Sequence, residues 1–250
     1  MRDDFILETH NLAKEFRGFV AVSDLSLSVK RGAVHGLIGP NGAGKTTVFN
    51  LLTGFLAPTR GRILYCGEDV TGASPPVLAR RGLVRSFQIS AVFPSLSALE
   101  NVRVALQRST GTSFFFWRSG RTLEVLDARA RELLAQVDLE RFAATPAGEL
   151  PYGRKRALEV ATTLALEPEL LLLDEPTAGM GHEDVGRITS LIARVAKGRT
   201  VLMVEHNLAM VADLCDRITV LARGSVLAEG SYAEVAADPA VREAYIGSAA

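Results

Sequence analysis

The chain has 250 residues, which allows one large domain or two small ones, and its 28 Lys and Arg balance its 28 Asp and Glu. Zero net charge argues against a protein that binds nucleic acid through bulk positive charge, and 48% apolar residues argue against a disordered acidic chain. The two cysteines, Cys66 and Cys215, fit no metal or redox spacing and are expected as buried thiols in a reducing cytoplasm.

No stretch of the sequence is long and apolar enough to cross a membrane. The opening MRDDFILETH carries acidic residues where a signal peptide has a basic flank. Dense apolar runs such as Leu170–Leu173 fall far short of the roughly 18–20 residues that a span needs. We therefore expect a soluble chain that reaches a membrane only by docking to another subunit.

The first part of the chain predicts strands around a glycine-rich turn. Apolar and polar residues alternate near Ile6 and over Leu25–Val29, which is typical of half-buried strands. Val34–Ile38 is a short apolar strand that leads into the glycine-rich turn. A helix is expected over Thr46–Leu52, and Gly54 ends it.

From about Ser90 to Thr163 the pattern becomes helical, because apolar residues recur on one helix face. These residues are Leu126, Ala130, Leu133, Leu134 and Val137.

The rest of the chain alternates strands and helices. Leu170–Leu173 and Val201–Val204 are runs typical of strands buried on both faces, with a helix between them at Val185–Ala196. A hairpin around residues 223–225 follows, and Ser231 caps the first of two short helices. This order predicts a mostly parallel α/β sheet.

Residues 39–47, GPNGAGKTT, fit the phosphate-binding loop G-x-x-x-x-G-K-[ST] between a strand and a helix. The glycines allow backbone N–H groups to turn toward a phosphate, and the helix N-terminus adds positive potential. Lys45 is expected to supply charge to the β- and γ-phosphates, and Thr46 a hydroxyl group to Mg²⁺.

The strand 170–173 ends in two carboxylates. Asp174 is expected beside the metal at the carboxyl edge of the sheet, and Glu175 can accept a proton from an attacking water. Together with the phosphate loop, this strand predicts a P-loop NTPase.

Further features decide which kind of NTPase the chain is. Gln88 closes the segment VRSFQ, LPYGRKR (residues 150–156) precedes a helix, and Glu205-His206 follows a buried strand. Each feature alone is common in proteins and indicates no function. Their order and spacing along the chain are what distinguish one class of NTPase from another.

In this order the motifs resemble those of the ATP-binding-cassette (ABC) ATPases over essentially the whole chain. GPNGAGKTT is similar to the Walker A loop, LLLLDE to the Walker B strand, Gln88 to the glutamine loop and His206 to the switch histidine, and LPYGRKR stands at the signature position. The closest resemblance is to importer ATPases for branched-chain amino acids and related amides, through VRSFQ, the Tyr-Gly form of the signature, DEPTAG and REAYIG.

The resemblance implies a RecA-like α/β core with an N-terminal antiparallel β subdomain over residues 1–89 and 163–250. An inserted helical subdomain, 90–162, would carry the signature. Two such cassettes, identical or homologous, would sandwich two ATP molecules. Closure of this dimer would drive two transmembrane permease subunits, which receive their solute from an external solute-binding protein. The implied location is the cytoplasmic face of a bacterial inner membrane, as a peripheral subunit, and nucleic acid is not an expected partner.

The resemblance also assigns site residues. Glu175 would be the general base, with His206 and Gln88 as further catalytic residues, and Thr46, Gln88 and Asp174 would hold Mg²⁺. The residues expected to contact ATP are Phe16, Val22, Asn41, Gly42, Ala43, Gly44, Lys45, Thr46, Thr47, Asp174, Gly153 and Arg154. Phe16 is expected to stack on adenine, with Phe19 as the alternative.

The signature departs from the family pattern. Pro151 stands where the family has a serine, so a hydroxyl group and an N–H group are missing. Tyr152 and Arg154 replace a glycine and the glutamine, while Gly153 and the helix N-terminus remain available to phosphate. We hypothesise that the charge of Arg154 offsets part of the loss. Gly181 also stands where the family has an aspartate.

Two other features stay open between interpretations. Residues 114–117, FFFW, are expected to pack within the helical part, or to cover a groove for a membrane subunit. Arg80, Arg81 and Arg85 are expected on a solvated face, with contact to phosphate or a partner as the alternative.

Two alternative functions compete with import. A lipopolysaccharide-type exporter ATPase shares the short length and the tail, but the Tyr-Gly signature favours the importer. A non-transport ATPase of the superfamily is disfavoured by the single cassette, the absence of a long coiled-coil insertion and the zero net charge.

Overall fold

The computed structural model describes residues 4–86, 92–107 and 124–246. Contacts between Cα atoms divide the chain into two compact units. The first contains residues 1–85, 169–175 and 196–250, and the second contains residues 86–168 and 176–195. The second unit thus includes the segment 176–195 besides the stretch that the sequence marks as helical.

The strands are numbered in chain order. They are β1 (Phe5–Phe16), β2 (Phe19–Lys30), β3 (Val34–Ile38), β4 (Arg60–Tyr65), β5 (Glu68–Asp69), β6 (Leu83–Ser86), β7 (Leu170–Asp174), β8 (Thr200–Val204), β9 (Arg217–Ala222) and β10 (Ser225–Gly230).

The helices are numbered in the same way. They are α1 (Lys45–Leu52), α2 (Pro75–Arg80), α3 (Ala98–Leu106), α4 (Asp127–Gln136), α5 (Tyr152–Leu164), α6 (His182–Ala196), α7 (Leu208–Leu214), α8 (Tyr232–Ala237) and α9 (Pro239–Ile246). None of the helices described is long and apolar enough to cross a membrane.

An antiparallel sheet with the strand order β2–β1–β4–β5 forms one layer of the first unit. β1 and β2 form a hairpin whose turn residues Arg17 and Gly18 have φ values of 48° and 90°. Positive φ at both turn residues matches the right-handed twist of paired strands. Alternation then buries Leu25, Leu27 and Val29 on one face of β2.

The second sheet carries the phosphate loop and has the strand order β10–β9–β3–β8–β7–β6. β3, β7, β8 and β9 pair in parallel, and β10 returns antiparallel to β9. Every residue of β7 and β8 is buried, which explains their continuous apolar sequences. The expected α/β class, with a P-loop core and an N-terminal antiparallel sheet, is confirmed.

The register of the parallel strands brings their carboxyl ends to one level. Val204 of β8 lies opposite Leu37 of β3 on one side and opposite Asp174 of β7 on the other. The segments that follow β3, β7 and β8 therefore begin at the same edge of the sheet.

Apolar packing fixes α1 beside this edge. Val48, Phe49 and Leu52 of α1 are fully buried in a core cluster that also contains residues of both sheets. Burying side chains of this size contributes about 1.5–3 kcal/mol each. The core thus holds the helix that follows the phosphate loop against the sheet.

The second unit is built mainly from helices. Ser97 and Glu100 form a capping box at the start of α3. Ala130, Leu133 and Leu134 of α4 are buried, as their spacing predicts. Residues 114–117 lie outside the described residues, so both interpretations of FFFW stay open.

Cys66 corrects the expectation of two buried thiols. It is exposed, because it lies in the turn between β4 and β5 with φ 52° beside Gly67 at φ 78°. Cys215 is partly buried, and burial raises the pKa of its thiol to about 12.

His35 gives the fold a specific pH dependence. Its side chain is buried in β3, where Nε2 lies 2.8 Å from Oγ1 of Thr219, and burial lowers its pKa from 6.5 to about 4. The unfolded chain therefore binds a proton between these values that the folded chain does not. The stability that the neutral form provides is lost as the pH falls through this window.

We expect the free energy of unfolding to decrease by about 2 kcal/mol through His35 between about pH 7.5 and about pH 5. Urea unfolding of the native chain and of His35→Gln at both pH values measures this difference, because glutamine does not titrate. His10→Gln is the matched control, since His10 is exposed on β1. If His35→Gln has the same pH dependence as the native chain, the prediction is wrong.

Candidate functional site

The phosphate loop adopts a backbone that only glycine allows at two positions. Gly39 has φ 150°, and a Cβ atom there would lie 2.2 Å from the carbonyl oxygen of Leu221. Gly44 has φ 100°, and a Cβ atom there would lie 2.7 Å from the carbonyl oxygen of Ala21. The loop is therefore shaped by backbone packing on both sides.

Lys45 lies inside the loop that it closes. Its side chain is buried, and Nζ donates hydrogen bonds to the carbonyl oxygens of Gly39 at 2.7 Å and Pro40 at 3.0 Å. Burial lowers the pKa of the ammonium group, and the negative charge of Glu175 opposes this shift. The loop thus holds a positive charge with its own carbonyl groups.

The other predicted loop residues differ in exposure. Asn41, Gly42 and Thr46 are exposed, Gly44 and Thr47 are partly buried, and Ala43 is buried. The outer side of the loop lines a cavity of about 590 Å³ with Arg223 of the β9–β10 turn and Glu243 of α9.

The predicted adenine-contacting residues belong to the β1–β2 hairpin. Phe16 and Phe19 are both exposed, and the Lys14 ammonium group lies 5.1 Å from the centre of the Phe16 ring. Val22 is fully buried and packs beside Gly44. Both aromatic rings are accessible from solvent, and Phe19 remains the alternative to Phe16.

Asp174, the last residue of β7, and Glu175, which follows it, lie at the same sheet edge as the loop. Asp174 is buried, and its Oδ2 atom lies 2.5 Å from Nη2 of Arg85. Glu175 has φ 46°, its N–H group donates to the carbonyl oxygen of Val204, and its Oε1 atom lies 3.1 Å from Nε2 of His206. The structure thus brings together the predicted base and the predicted switch histidine.

Arg85 contacts the predicted metal-binding carboxylate, which its expected place on a solvated face did not indicate. Its side chain is 10% exposed and also donates from Nη1 to Oδ1 of Asn50 at 2.7 Å. The expectation of a solvated face is therefore wrong for Arg85, because β6 lies beside β7. It holds for Arg81, which forms an exposed ion pair with Glu68.

Glu205 shapes the turn that presents His206. Its buried carboxylate accepts hydrogen bonds from the N–H groups of His206 at 2.7 Å and Asn207 at 2.9 Å. Asn207 in turn caps α7 by accepting from the N–H group of Met210. These bonds fix the backbone around His206, and the sequence analysis assigned Glu205 no role.

The signature residues lie in the second unit. Pro151 precedes α5, and the hydroxyl group of Tyr152 donates to the carbonyl oxygen of Ala178 at 2.9 Å. A Cβ atom on Gly153 would lie 2.9 Å from Oδ1 of Asp184, so a carboxylate faces this glycine.

Arg154 packs on an aromatic ring. Its guanidinium group lies 4.0 Å from the centre of the Phe142 ring, at a cavity of about 750 Å³ that Pro151 and Gly153 also line. Gln88 lies outside the described residues, so its predicted role stays a prediction.

The loop after β3, the buried Lys45 and the carboxylates at the end of β7 have the arrangement that is typical of a P-loop NTPase. Comparison with known proteins specifies the family. The family described as "ABC transporter" matches residues 22–178, and the family described as "Branched-chain amino acid ATP-binding cassette transporter" matches residues 225–250.

Individual proteins match over nearly the whole length. The high-affinity branched-chain amino acid transport ATP-binding protein BraF of Pseudomonas aeruginosa is 40% identical over 98% of each chain. The ADP conformation of MJ1267, an ATP-binding cassette of an ABC transporter, has a TM-score of 0.84 and 32% identity over 97% of this chain and 99% of that one. A dimeric post-hydrolysis state of the cassette MJ0796 with ADP and phosphate has a TM-score of 0.75 and 26% identity over 90% and 98%.

The chain therefore belongs to the ABC transporter family, as one of its ATP-binding cassettes. It is an ATPase, as the motifs predicted.

We expect Gly39→Ala to destabilise the fold by about 2–5 kcal/mol, because a left-handed alanine and a backbone clash add together. Gly42→Ala is the matched control, since Gly42 has φ 77° with nothing within 4 Å of its Cβ position. Its cost should be only the backbone strain, about 1–2 kcal/mol. Urea unfolding measures both, and equal losses would contradict the clash.

Proposed function

We propose that the chain is the ATP-hydrolysing subunit of an importer for branched-chain amino acids or related amides. The observation that supports the chemistry is the common sheet edge. Three parallel strands end there, with Asp174 as the last residue of β7 and with Lys45 and the Glu175–His206 pair in the segments that follow the strands. The similarity to BraF and the match of residues 225–250 support the solute class. These comparisons do not favour the exporter.

ATP would bind with its phosphates in the loop and its base on the β1–β2 hairpin. Loop N–H groups, the α1 N-terminus and the Lys45 ammonium group supply the positive potential that phosphate oxygens require. Phe16, with Phe19 as the alternative, offers an exposed ring on which the adenine can stack.

The residues at this edge fit Mg²⁺. Mg²⁺ takes oxygen ligands, commonly one or two carboxylates together with waters and substrate phosphates. Asp174 offers a carboxylate that is already oriented, and Thr46 offers an exposed hydroxyl group in the first turn of α1. We assign these two residues to the metal, with Gln88 as the third proposed ligand. When bound, Mg²⁺ would neutralise phosphate charge.

Glu175 is the proposed general base. Its carboxylate would accept a proton from the water whose oxygen attacks the γ-phosphorus, and the bond from that phosphorus to the bridging oxygen breaks with its electrons leaving on ADP. His206, at 3.1 Å, would hold the carboxylate and contact the γ-phosphate. Positioning and charge neutralisation supply most of the rate.

A second cassette would complete the site. Gly153, Arg154 and the N-terminus of α5 are the proposed contacts to ATP held by a partner cassette, and the dimeric structure of MJ0796 supports such pairing. The further proposed partners are two permease subunits and, indirectly, an external solute-binding protein. The subunit would lie peripherally on the cytoplasmic face of a bacterial membrane.

Glu175→Gln is expected to reduce ATP hydrolysis about 100-fold or more, because the amide cannot accept the proton. ATP binding should be retained, so the variant should dimerise with ATP. A phosphate-release assay and size-exclusion chromatography with ATP measure the two effects.

Glu169→Gln is the matched control for this variant. Glu169 lies just before the other end of β7 and forms an exposed ion pair with Arg31. Its hydrolysis should equal that of the native chain. Unchanged hydrolysis in Glu175→Gln would exclude the proposed base.

The solute proposal is tested with the permease and solute-binding proteins encoded by neighbouring genes. In proteoliposomes with internal ATP, we expect uptake of labelled leucine that depends on the binding protein and that Glu175→Gln abolishes. Uptake of labelled lysine is the control and should stay at background. Equal uptake of leucine and lysine would contradict the proposed solute class. Uptake of neither would exclude branched-chain amino acids and leave the related amides, and absence of uptake of a labelled short-chain amide as well would contradict the whole class.

A further inference from the structure

We propose that Arg85 is the positioning residue for the metal-binding carboxylate, holding Asp174 in the orientation that Mg²⁺ requires at the nucleotide site. The proposal rests on the proposed function, because it takes Asp174 as the carboxylate that meets the metal. It gives a role to a residue of β6 to which none of the sequence motifs assigns one.

The contact between Arg85 and Asp174 is short and shielded from water. Nη2 of Arg85 lies 2.5 Å from Oδ2 of Asp174, and the two side chains are 10% and 3% exposed. Arg81 lies four residues before Arg85 and pairs with Glu68, and the side chains of that pair are 43% and 71% exposed. Exposed pairs contribute little because water screens them, whereas breaking a buried pair leaves a charge without compensation.

A second set of contacts fixes Arg85 itself. Nη1 donates to Oδ1 of Asn50 at 2.7 Å, and the guanidinium carbon lies 5.7 Å from the centre of the Phe49 ring. Both partners belong to α1, the helix that begins with Lys45 and Thr46. The planar guanidinium fork can hold two partners at once in a fixed geometry, so Arg85 links the end of β7 to the helix of the phosphate loop.

This arrangement favours positioning over competition with the metal. A cation that competes with Mg²⁺ for Asp174 must move away when the metal binds. Arg85 is held in place by its contacts with Asn50 and Phe49, which oppose such a movement. Carboxylates that ligate metals are themselves oriented by hydrogen bonds, and loss of such an outer contact commonly lowers metal affinity about 10–100-fold. Removing Arg85 should therefore weaken metal binding, while removing a competitor would strengthen it.

The test measures metal binding without turnover. Mn²⁺ serves as the paramagnetic probe with ADP, and electron paramagnetic resonance reports free Mn²⁺. For Arg85→Gln we expect the apparent Kd for Mn²⁺ to rise about 10–100-fold. The Kd of a fluorescent ADP analogue in EDTA should stay within about twofold of the native value, because the proposed role of Arg85 needs the metal.

Arg81→Gln is the matched control and should leave both constants unchanged. Arg85→Lys provides a second measurement if Arg85→Gln does not fold, because it keeps the charge. An ammonium group lacks the planar fork, so we expect a rise in the Mn²⁺ Kd of about tenfold.

The outcomes separate this proposal from the proposed function. An unchanged or lower Kd for Mn²⁺ in the Arg85 variants overturns the positioning role. Asp174→Asn should also raise the Kd for Mn²⁺. If Asp174→Asn raises it and the Arg85 variants do not, the positioning role alone is wrong. If Asp174→Asn has no effect either, the assignment of the metal to Asp174 fails as well.

Discussion

The parallel pairing of β3, β7 and β8 is the constraint on which the site depends. Because Val204 lies level with both Leu37 and Asp174, three chain segments leave the sheet at one edge. These segments begin with the phosphate loop, with Glu175 and with Glu205-His206. A shift of β7 by one residue would turn Asp174 to the opposite face of the sheet. The pairing register of the strands therefore determines which side chains meet at this edge. The apolar sequences of β7 and β8, buried on both faces, stabilise this register.

Three charged groups at this edge, those of Lys45, Asp174 and Glu205, are buried, and each is held by a specific partner. Lys45 donates to its own loop, Asp174 pairs with Arg85, and Glu205 accepts two N–H groups. Buried charges are costly unless they are paired or hydrogen-bonded, so these contacts offset the cost of burying the three side chains and fix their positions. The same burial that penalises them increases their effect on phosphate charge, because water does not screen them.

Local patterns were sufficient to predict the loop, the buried strands, α1 and the capped helix α8, because each has a signal within a few residues. The elements that the sequence did not reveal were short, as in β6, α2 and α7, so that few residues carried each pattern. Arg85 could not be placed because its burial depends on Asp174 and Asn50, which are distant in sequence. Cys66 was placed wrongly because the general preference of cysteine for the interior does not hold in the exposed turn between β4 and β5, where this residue lies.

The path of the chain gives the Arg85–Asp174 pair a further consequence. The chain leaves the first unit after Arg85 and again after Glu175, so the residues of the proposed metal and base sites stand next to two of the peptide connections to the second unit. The link from Arg85 to Asp174 and to α1 resists separation of β6 from β7, because moving either strand end breaks a buried ion pair. The proposed positioning contact therefore also holds the ends of β6 and β7 together at the two places where the chain leaves the first unit.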